Sequence, residues 1–175
     1  YRDQCEQVLV AFGGGDCMAW TPRIIPLLDS FPGGLTINVV AGPFYASGQS
    51  FTSRHSICIH HSPTSLAGLM ENADLYVGAA GSTVWEACAA HLPMVLVKTV
   101  ENQDAVFRRV SEVGAALGVD AKQTVGISSK LSVMLESACR QDNRIRMGQA
   151  ASELVDGCGA LRVAQSMMAV LRNSE

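Results

Sequence analysis

Short apolar runs that alternate with helical patterns constrain the fold of this chain more than any other feature. The runs lack a regular polar alternation, which is typical of strands buried on both faces of a parallel sheet. They span residues 7–12, 35–40, 57–60, 75–77, 93–97 and 115–119. Helical patterns occupy residues 18–30, 66–70, 83–90 and 103–112, then 131–140, 144–154 and 161–171. This order predicts an α/β fold: a doubly wound, Rossmann-like parallel sheet of about six strands with helices on both faces.

Four loops follow the predicted strands at the place where such a fold binds ligands. In doubly wound sheets, ligands lie in a crevice beyond the carboxyl ends of the strands. The loops at those ends are residues 13–16, 60–62, 78–83 and 98–103. We therefore expect these four loops to line one crevice.

The turn before the third predicted helix has the strongest functional pattern. Small residues occupy positions 78–81, and the first amides of the helix, near Gly81, Ser82 and Thr83, have no intrahelical partner. Amides of this kind bind anions such as a diphosphate. Glu86 lies one turn later on the same side of the helix, where its carboxylate can accept hydrogen bonds from ribose hydroxyls. The pattern predicts a nucleotide site without a lysine or a metal motif.

The same turn also allows an interpretation without a ligand. Thr83 and Glu86 have the spacing of a capping box, in which side chains satisfy the first amides of a helix. A cap alone does not require four small residues before it, which favours the nucleotide interpretation. Trp85, on the same helix, is predicted to pack in the core rather than to stack on a ligand.

The glycine-rich loop after the first strand has two interpretations. Gly13, Gly14 and Gly15 leave room for a phosphate or a sugar to approach the backbone. Alternatively, the loop is a tight turn in which Asp16 caps the following helix. A dinucleotide fingerprint would place a third glycine where Met18 stands, and the second strand lacks its terminal acidic residue. A nicotinamide-dependent dehydrogenase is therefore disfavoured.

Polar residues follow the third and fifth strands. His60 and His61 are adjacent in a strand and point to opposite faces, so they cannot both bind one metal ion from there. The backbone of His61 and Ser62 is suited to recognise the edge of a base. Asn102 and Gln103 can donate hydrogen bonds to sugar hydroxyls and accept them, although Asn102 also suits a helix cap.

Composition and charge exclude several classes of function. The net charge of −3 argues against nucleic acid as a main partner, and no apolar stretch approaches the roughly 20 residues of a membrane span. The six cysteines are scattered without a CxxC pair, which predicts reduced, mostly buried thiols in a cytoplasmic protein. No metal site and no cofactor are predicted. The basic residues expected at the surface are Arg140, Arg144 and Arg146.

The motifs, taken together and in this order, resemble a known group of proteins. They occupy residues 12–16, 60–62, 69–75, 81–86 and 101–103. The chain resembles the C-terminal, nucleotide-binding half of GT-B-fold nucleotide-sugar enzymes over residues 7–120, and loosely beyond. Within that group it looks most similar to the UDP-sugar hydrolase of pseudaminic acid biosynthesis and its spore-coat-polysaccharide relatives. The N-acetylglucosaminyltransferase that makes the peptidoglycan lipid intermediate is a more distant resemblance.

The resemblance implies a role for each motif. The turn amides would hold the diphosphate of a UDP-sugar, Glu86 the ribose hydroxyls, and the backbone at residues 61–62 the uracil. Residues 102–103 would contact the sugar, while the glycine loop would close the phosphate side. The residues so assigned are Gly13, Gly14, Gly15, Asp16, His61, Ser62, Gly81, Ser82, Thr83, Glu86, Asn102 and Gln103.

The resemblance also implies a second half. The chain begins with Tyr rather than Met, and residues 1–175 are expected to form the C-terminal domain of a two-domain enzyme. The absent N-terminal domain would be its partner, would supply the catalytic base and could associate peripherally with a membrane. The fragment alone is therefore expected to be inactive.

Several functions remain open for the full-length protein. A UDP-sugar hydrolase of bacterial surface glycan biosynthesis that releases UDP is favoured, because the Asn-Gln pair and the Gly-Ser-Thr turn resemble the hydrolases more closely. The alternative is a glycosyltransferase that passes the sugar to an acceptor. A non-catalytic nucleotide-binding module and a nucleotide-sugar 2-epimerase are the further alternatives.

Overall fold

Six parallel strands form a single sheet in the computed structural model, which describes residues 1–14, 16, 19–45, 50–123 and 125–172. The strands are β1 (Gln7–Ala11), β2 (Thr36–Ala41), β3 (Ser56–His61), β4 (Leu75–Ala79), β5 (Met94–Lys98) and β6 (Ala116–Asp120). Their spatial order is β3-β2-β1-β4-β5-β6. The predicted doubly wound parallel sheet of about six strands is confirmed.

Helices cover both faces of the sheet. They are α1 (Thr21–Leu28), α2 (Ala67–Asn72), α3 (Thr83–Ala89), α4 (Asp104–Glu112), α5 (Ile127–Cys139), α6 (Gln141–Ser152) and α7 (Gly159–Arg172). A short 3-10 turn, Glu101–Gln103, precedes α4. Alternate residues of β1 enter two separate cores, with Val8 and Val10 on one face and Leu9 and Ala11 on the other. This two-sided burial explains why the central strands β1, β4 and β5 are almost entirely apolar, whereas the edge strand β3 is polar at several positions and has no fully buried residue.

The order of the strands defines the place where a ligand crevice is expected. After β1 the chain adds β2 and β3 on one side, and it then crosses over to place β4 against the other side of β1. The loops after β1 and β4 therefore diverge at the carboxyl edge of the sheet. Such a reversal of strand order is where open α/β sheets bind their ligands.

Two helices begin later than the sequence pattern suggested. Helix α1 begins at Thr21, so Pro22 lies in its first turn, where its missing N–H leaves no hydrogen bond unmade. Helix α2 begins at Ala67, one residue after the start of the predicted helical pattern at residues 66–70. The Ser65 hydroxyl accepts a hydrogen bond from the Ala67 amide at 3.2 Å.

The amino edge of the sheet contains a buried ion pair. The Asp74 carboxylate, on the residue before β4, accepts hydrogen bonds from the Glu6 and Gln7 amides at 2.9 Å each, and from Arg2 at 2.9 Å. Arg144 of α6 is completely buried and lies 3.6 Å from the same carboxylate. The prediction of a surface position for Arg144 was therefore wrong. The Asp74 carboxylate compensates its charge, and three backbone carbonyls accept its hydrogen bonds, those of Arg2, Asp3 and Cys139.

Helix α7 differs from the other helices of the described chain. None of its residues is buried, although its pattern is amphipathic. Its exposed large apolar side chains are Leu161, Val163, Met167, Met168, Val170 and Leu171. Among the described residues, no helix combines the length and the apolar character that a membrane crossing requires.

Candidate functional site

The turn between β4 and α3 presents three backbone amides. Ser82 is the N-cap residue of α3 and makes no side-chain capping hydrogen bond. The amides of Gly81, Ser82 and Thr83 have no partner in the part of the chain that the structure describes. A side chain at position 81 would meet nothing within 4 Å, so the approach to these amides is open. The geometry is suited to an anionic group.

Glu86 does not accept the backbone hydrogen bond that a capping box would require of it. No side-chain capping hydrogen bond forms at the start of α3, so the interpretation without a ligand loses its main support. The Glu86 side chain is exposed and lines a cavity of about 380 Å³ between α2 and α3. Ser65, Met70, Glu71 and His91 line the same cavity.

A buried tyrosine lies close to this carboxylate. The Tyr76 hydroxyl donates a hydrogen bond to the carbonyl of Ala11 at 3.1 Å, which links the side chain of a residue near the start of β4 to the end of β1. Complete burial, and to a lesser extent the negative charge of Glu86, raises the pKa of Tyr76 well above its ordinary value. Tyr76 therefore stays neutral and acts as a structural donor beneath the crevice.

Trp85 lies outside the core, contrary to the prediction. Val84, Ala87 and Cys88 are the residues of α3 that are fully buried, and their spacing defines the inner face of the helix. Trp85 points to the other side and is 37 % exposed. The error arose because a helix of seven residues leaves little pattern from which to fix its phase.

The glycine loop after β1 is joined to the loop after β2. The Phe44 amide donates a hydrogen bond to the Gly14 carbonyl at 2.9 Å. Gly42 passes so close that a side chain there would lie 2.4 Å from the same carbonyl oxygen. Gly13 has a φ of +83°, which favours glycine. Gly15 lies outside the described residues, so its predicted contact with a ligand remains a prediction.

Asp16 serves the fold. Its carboxylate oxygens accept hydrogen bonds from the Trp20 amide at 2.8 Å and the Thr21 amide at 2.7 Å, at the start of α1. The alternative interpretation, in which Asp16 caps this helix, is therefore confirmed. A direct contact between Asp16 and a ligand has less support, because both oxygens already have partners.

The end of β3 separates the two histidines. His60 interacts through Nε2 with the Asn38 side-chain oxygen at 2.9 Å, while His61 is exposed at the crevice edge. The Ser62 amide donates to the Ala41 carbonyl at 2.8 Å, which extends the pairing of β2 with β3. The Ser62 amide is therefore not free to recognise a base. Nothing in the sequence indicated that this amide pairs with β2. Carbonyl groups of this loop remain as candidate acceptors.

The loop after β5 orients Gln103. Its side-chain oxygen accepts hydrogen bonds from the Thr99 amide at 2.8 Å and the Thr99 hydroxyl at 3.3 Å. The amide nitrogen of Gln103 has no acceptor among the described residues and remains a donor. Asn102 is exposed and makes no capping hydrogen bond, so its predicted alternative role as a helix cap was wrong.

An ion-pair cluster that the sequence analysis missed lies beside this loop. Lys98 ends β5 and pairs with Asp120, which ends β6, at 2.6 Å, and with Asp104 of α4. Hydrogen bonds to the two carboxylates raise the pKa of Lys98, and the Lys98 ammonium lowers the pKa of Asp120. The register pairs Lys98 directly with Asp120. Opposite charges at the ends of two consecutive apolar runs were the signal in the sequence.

No metal centre is evident in the part of the chain described above. Groups of three or more histidine, cysteine, aspartate or glutamate side chains that could hold an ion do not occur among the described residues.

The fold and the crevice define a class of protein. A six-stranded parallel sheet with helices on both faces is the Rossmann-like C-terminal domain of the GT-B fold. Residues 43–157 match the glycosyltransferase family 28 C-terminal domain. Because this match covers more than half of the chain, the chain belongs to that family.

Comparisons with individual proteins agree with this family. The chain is 26 % identical over 168 residues to the spore coat polysaccharide biosynthesis protein SpsG of Bacillus subtilis, covering 93 % of the chain and 50 % of that protein. It superimposes on MurG of Acinetobacter baumannii with a TM-score of 0.79 at 19 % identity, covering 96 % of the chain and 51 % of MurG. The chain thus spans about half the length of these relatives.

A third comparison concerns a structure with a bound nucleotide. The spinosyn rhamnosyltransferase SpnG, complexed with thymidine diphosphate, matches with a TM-score of 0.67 at 16 % identity, covering 94 % of the chain and 46 % of SpnG. At this identity the likeness establishes the fold alone.

Proposed function

We propose that this chain is the donor-binding domain of a bacterial glycosyltransferase that uses a UDP-sugar. The observation on which the proposal depends is the family match, which spans the loops after β3, β4 and β5. The name of SpsG, a spore coat polysaccharide biosynthesis protein, supports a role in surface glycan synthesis. The thymidine diphosphate complex of SpnG supports a nucleoside diphosphate as the type of ligand.

The proposed binding mode uses the groups that the fold leaves free. The diphosphate would accept hydrogen bonds from the amides of residues 81–83, which have no partner among the described residues. Glu86 would accept hydrogen bonds from the ribose hydroxyls at the mouth of its cavity. Gln103 would donate its free amide hydrogens to the sugar, and His61 would form part of the wall beside the base.

Transfer requires that negative charge be stabilised on the departing nucleoside diphosphate. Fixed amides aimed at that diphosphate would stabilise the developing charge without reorganising. The general base that activates an acceptor would come from a second domain, which we propose precedes residue 1 in the full-length protein. The coverage of half of SpsG supports this two-domain organisation.

Transfer is preferred to hydrolysis on the basis of the family. The resemblance of the Asn-Gln pair and of the Gly-Ser-Thr turn favours a hydrolase, but the chain belongs to a glycosyltransferase family and the hydrolase has no support in the comparisons. Product analysis of the full-length protein tests this choice. With a UDP-amino-sugar and an acceptor we expect a glycosylated acceptor, whereas free sugar formed equally without any acceptor would establish hydrolysis instead.

Binding by the isolated domain is tested by NMR titration. We expect UDP to shift the amide resonances of residues 81–83 more strongly than GDP, CMP or NAD does. Glu86→Gln should weaken UDP binding about 10–100-fold, because a hydrogen bond to a charged group is lost. The matched control is Glu71→Gln, which changes another carboxylate of the same cavity.

The outcomes separate the alternatives. Equal losses of affinity in the two variants would indicate a general charge effect rather than a ribose contact. If Glu86→Gln lowered the unfolding midpoint and left the affinity unchanged, Glu86 would have a structural role only. Shifts confined to other loops would refute the proposed diphosphate site.

A further inference from the structure

Two thiols lie next to each other at the amino edge of the sheet, far from the crevice loops in the fold. Cys5 precedes β1 and Cys139 ends α5, and both are half-buried against the same core. Both also line a solvent-open cavity of about 390 Å³. Cys139 is the group that affects the pKa of the Cys5 thiol most strongly, which requires the two side chains to lie close together.

The surrounding hydrogen bonds hold the two chain segments together. The buried Arg144 guanidinium donates to the Cys139 carbonyl at 3.2 Å and to the Arg2 carbonyl at 2.8 Å. The Gln141 side chain donates to the Asp3 carboxylate at 3.0 Å. The segment that contains Cys5 is therefore fixed against the turn that contains Cys139 by contacts that do not involve either thiol.

The remaining described cysteines have no such arrangement. Cys88 is buried within α3, and Cys58 and Cys158 are exposed, so the prediction that the thiols are mostly buried was wrong. Cys17 lies outside the described residues. Cys5 and Cys139 line one cavity together.

We propose that Cys5 and Cys139 form a reversible disulfide by exchange with a low-molecular-weight disulfide such as oxidised glutathione. One thiolate attacks the small disulfide, forms a mixed disulfide and releases one small thiol. The second thiolate then attacks the protein sulfur and releases the other small thiol. Two cysteine thiols are oxidised, one small disulfide is reduced to two thiols, and two protons pass to the released thiolates.

The disulfide would increase the stability of the folded state. The sequence between Cys5 and Cys139 contains all six strands, so a disulfide would close a loop around the whole sheet. Closing a long loop restricts the unfolded chain and thereby favours the folded state. The pair would thus be a redox-dependent covalent cross-link between the N-terminal segment and the end of α5. This proposal is independent of the proposed ligand.

The environment makes the exchange slow at neutral pH. The neighbouring Cys139 side chain, and then burial, raises the pKa of the Cys5 thiol far above its ordinary value. Because only the thiolate reacts, the rate of closure should increase by about tenfold for each unit of pH in the range where both thiols are protonated. Burial also raises the pKa of Cys88, to about 11, and keeps it unreactive.

The test is oxidation of the reduced protein with oxidised glutathione at pH 7.5 and pH 9, followed by blocking of free thiols and peptide mapping. We expect glutathione adducts at Cys58 and Cys158 at both pH values. A linked pair of peptides that contains Cys5 and Cys139, lighter by two hydrogens, should form faster at pH 9. The unfolding midpoint of the linked protein should rise by roughly 5–10 °C.

The controls make each outcome decisive. Cys5→Ser and Cys139→Ser should each abolish the linked peptides and the rise in the midpoint, while Cys158→Ser should retain both. Linked peptides that join Cys5 or Cys139 to any other cysteine would refute the pairing. The proposal would also be refuted if both residues remained free, and open to blocking after denaturation, under conditions that modify Cys58.

Discussion

The two edges of the sheet use their polar groups in opposite ways. At the amino edge, the Asp74 carboxylate accepts hydrogen bonds from two backbone amides and from Arg2. The buried Arg144 guanidinium donates to backbone carbonyls and lies 3.6 Å from the same carboxylate. At the carboxyl edge, the amides of residues 81–83, the Glu86 carboxylate and the Gln103 amide nitrogen lack partners among the described residues. Polar groups that the fold has already paired stabilise it, whereas unpaired groups at a crevice remain available to a ligand.

This contrast separates stability from binding. Substitutions at the amino edge should lower the free energy of unfolding, with little direct effect on ligand affinity. Substitutions of the unpaired groups at the carboxyl edge should lower the ligand affinity, with little effect on the free energy of unfolding. Some loops of the carboxyl edge contact each other, as those that contain Gly14 and Gly42 do. Substitutions at such contacts should lower both the stability and the ligand affinity.

The largest expected effect is at Asp74. Asp74→Asn removes the negative charge that compensates the buried Arg144, and leaving a buried charge unpaired costs about 3–5 kcal/mol of unfolding free energy. Urea denaturation followed by circular dichroism measures this loss. The matched control is Arg2→Gln, which changes the exposed partner of the same carboxylate and should cost about 0–1 kcal/mol.

If Asp74→Asn lowered the free energy of unfolding by less than about 1 kcal/mol, the contrast between the two edges of the sheet would fail. Such a result would mean that the backbone carbonyls alone satisfy Arg144 and that the amino edge does not depend on its ion pair.

The next effect concerns the junction of two loops at the carboxyl edge. Gly42→Ala would place a methyl group 2.4 Å from the Gly14 carbonyl oxygen, so the loops after β1 and β2 must separate. We expect a loss of about 1–3 kcal/mol together with weaker UDP binding. Gly34→Ala is the control, because a side chain there meets nothing within 4 Å and should change stability by less than about 0.5 kcal/mol. Equal stabilities of the two variants would exclude a close contact at Gly42.

The sequence predicted the sheet well, for a physical reason. A strand buried on both faces is apolar at every position, so its place is visible without any knowledge of its neighbours. The predicted run at 93–97 and the observed strand Met94–Lys98 differ by one residue at each end. The expectation of a ligand crevice at the carboxyl edge follows from the alternation of strands and helices alone, and its lining by the four loops stays a prediction.

The use of individual polar groups could not be predicted in the same way. Whether the Ser62 amide is free depends on its pairing with Ala41, and the position of Arg144 depends on how α6 packs against α3 and α5. The Gln103 oxygen is directed to the Thr99 amide by the curl of a short loop. These outcomes rest on register and loop geometry, which leave no periodic pattern in the sequence.

A smaller effect is expected at Gln103, and it tests the carboxyl edge directly. Gln103→Ala removes the free amide nitrogen and should weaken binding of a UDP-sugar about three- to tenfold while leaving the affinity for UDP unchanged. Isothermal titration calorimetry with both ligands separates the two effects. Thr99→Val is the matched control, since it removes the hydroxyl donor but keeps the backbone amide that orients Gln103. A parallel loss of affinity for UDP would place Gln103 near the phosphates instead of the sugar.

The smallest effect on stability is expected at an aspartate–arginine ion pair that, unlike the pair at the amino edge, is exposed to solvent. Asp156 accepts hydrogen bonds from Arg162 at 2.6 and 3.0 Å at the start of α7, and both side chains are mostly exposed. The hydrogen bonds from Arg162, and then from the Cys158 amide, lower the pKa of Asp156 to about 2.

The direction of the pH dependence follows from this lowered pKa. The stabilising contribution of Asp156 is fully present above the unfolded-state pKa of about 3.9 and is lost as the pH falls through the folded-state value of about 2. NMR titration of the Asp156 carboxyl carbon between pH 5 and 1.5 measures the midpoint, and Arg162→Gln should return it towards about 3.9. Because water screens exposed charges, Asp156→Asn should change the unfolding midpoint far less than Asp74→Asn does. Equal changes would show that pairing, rather than the burial of the pair, determines the stability of the amino edge.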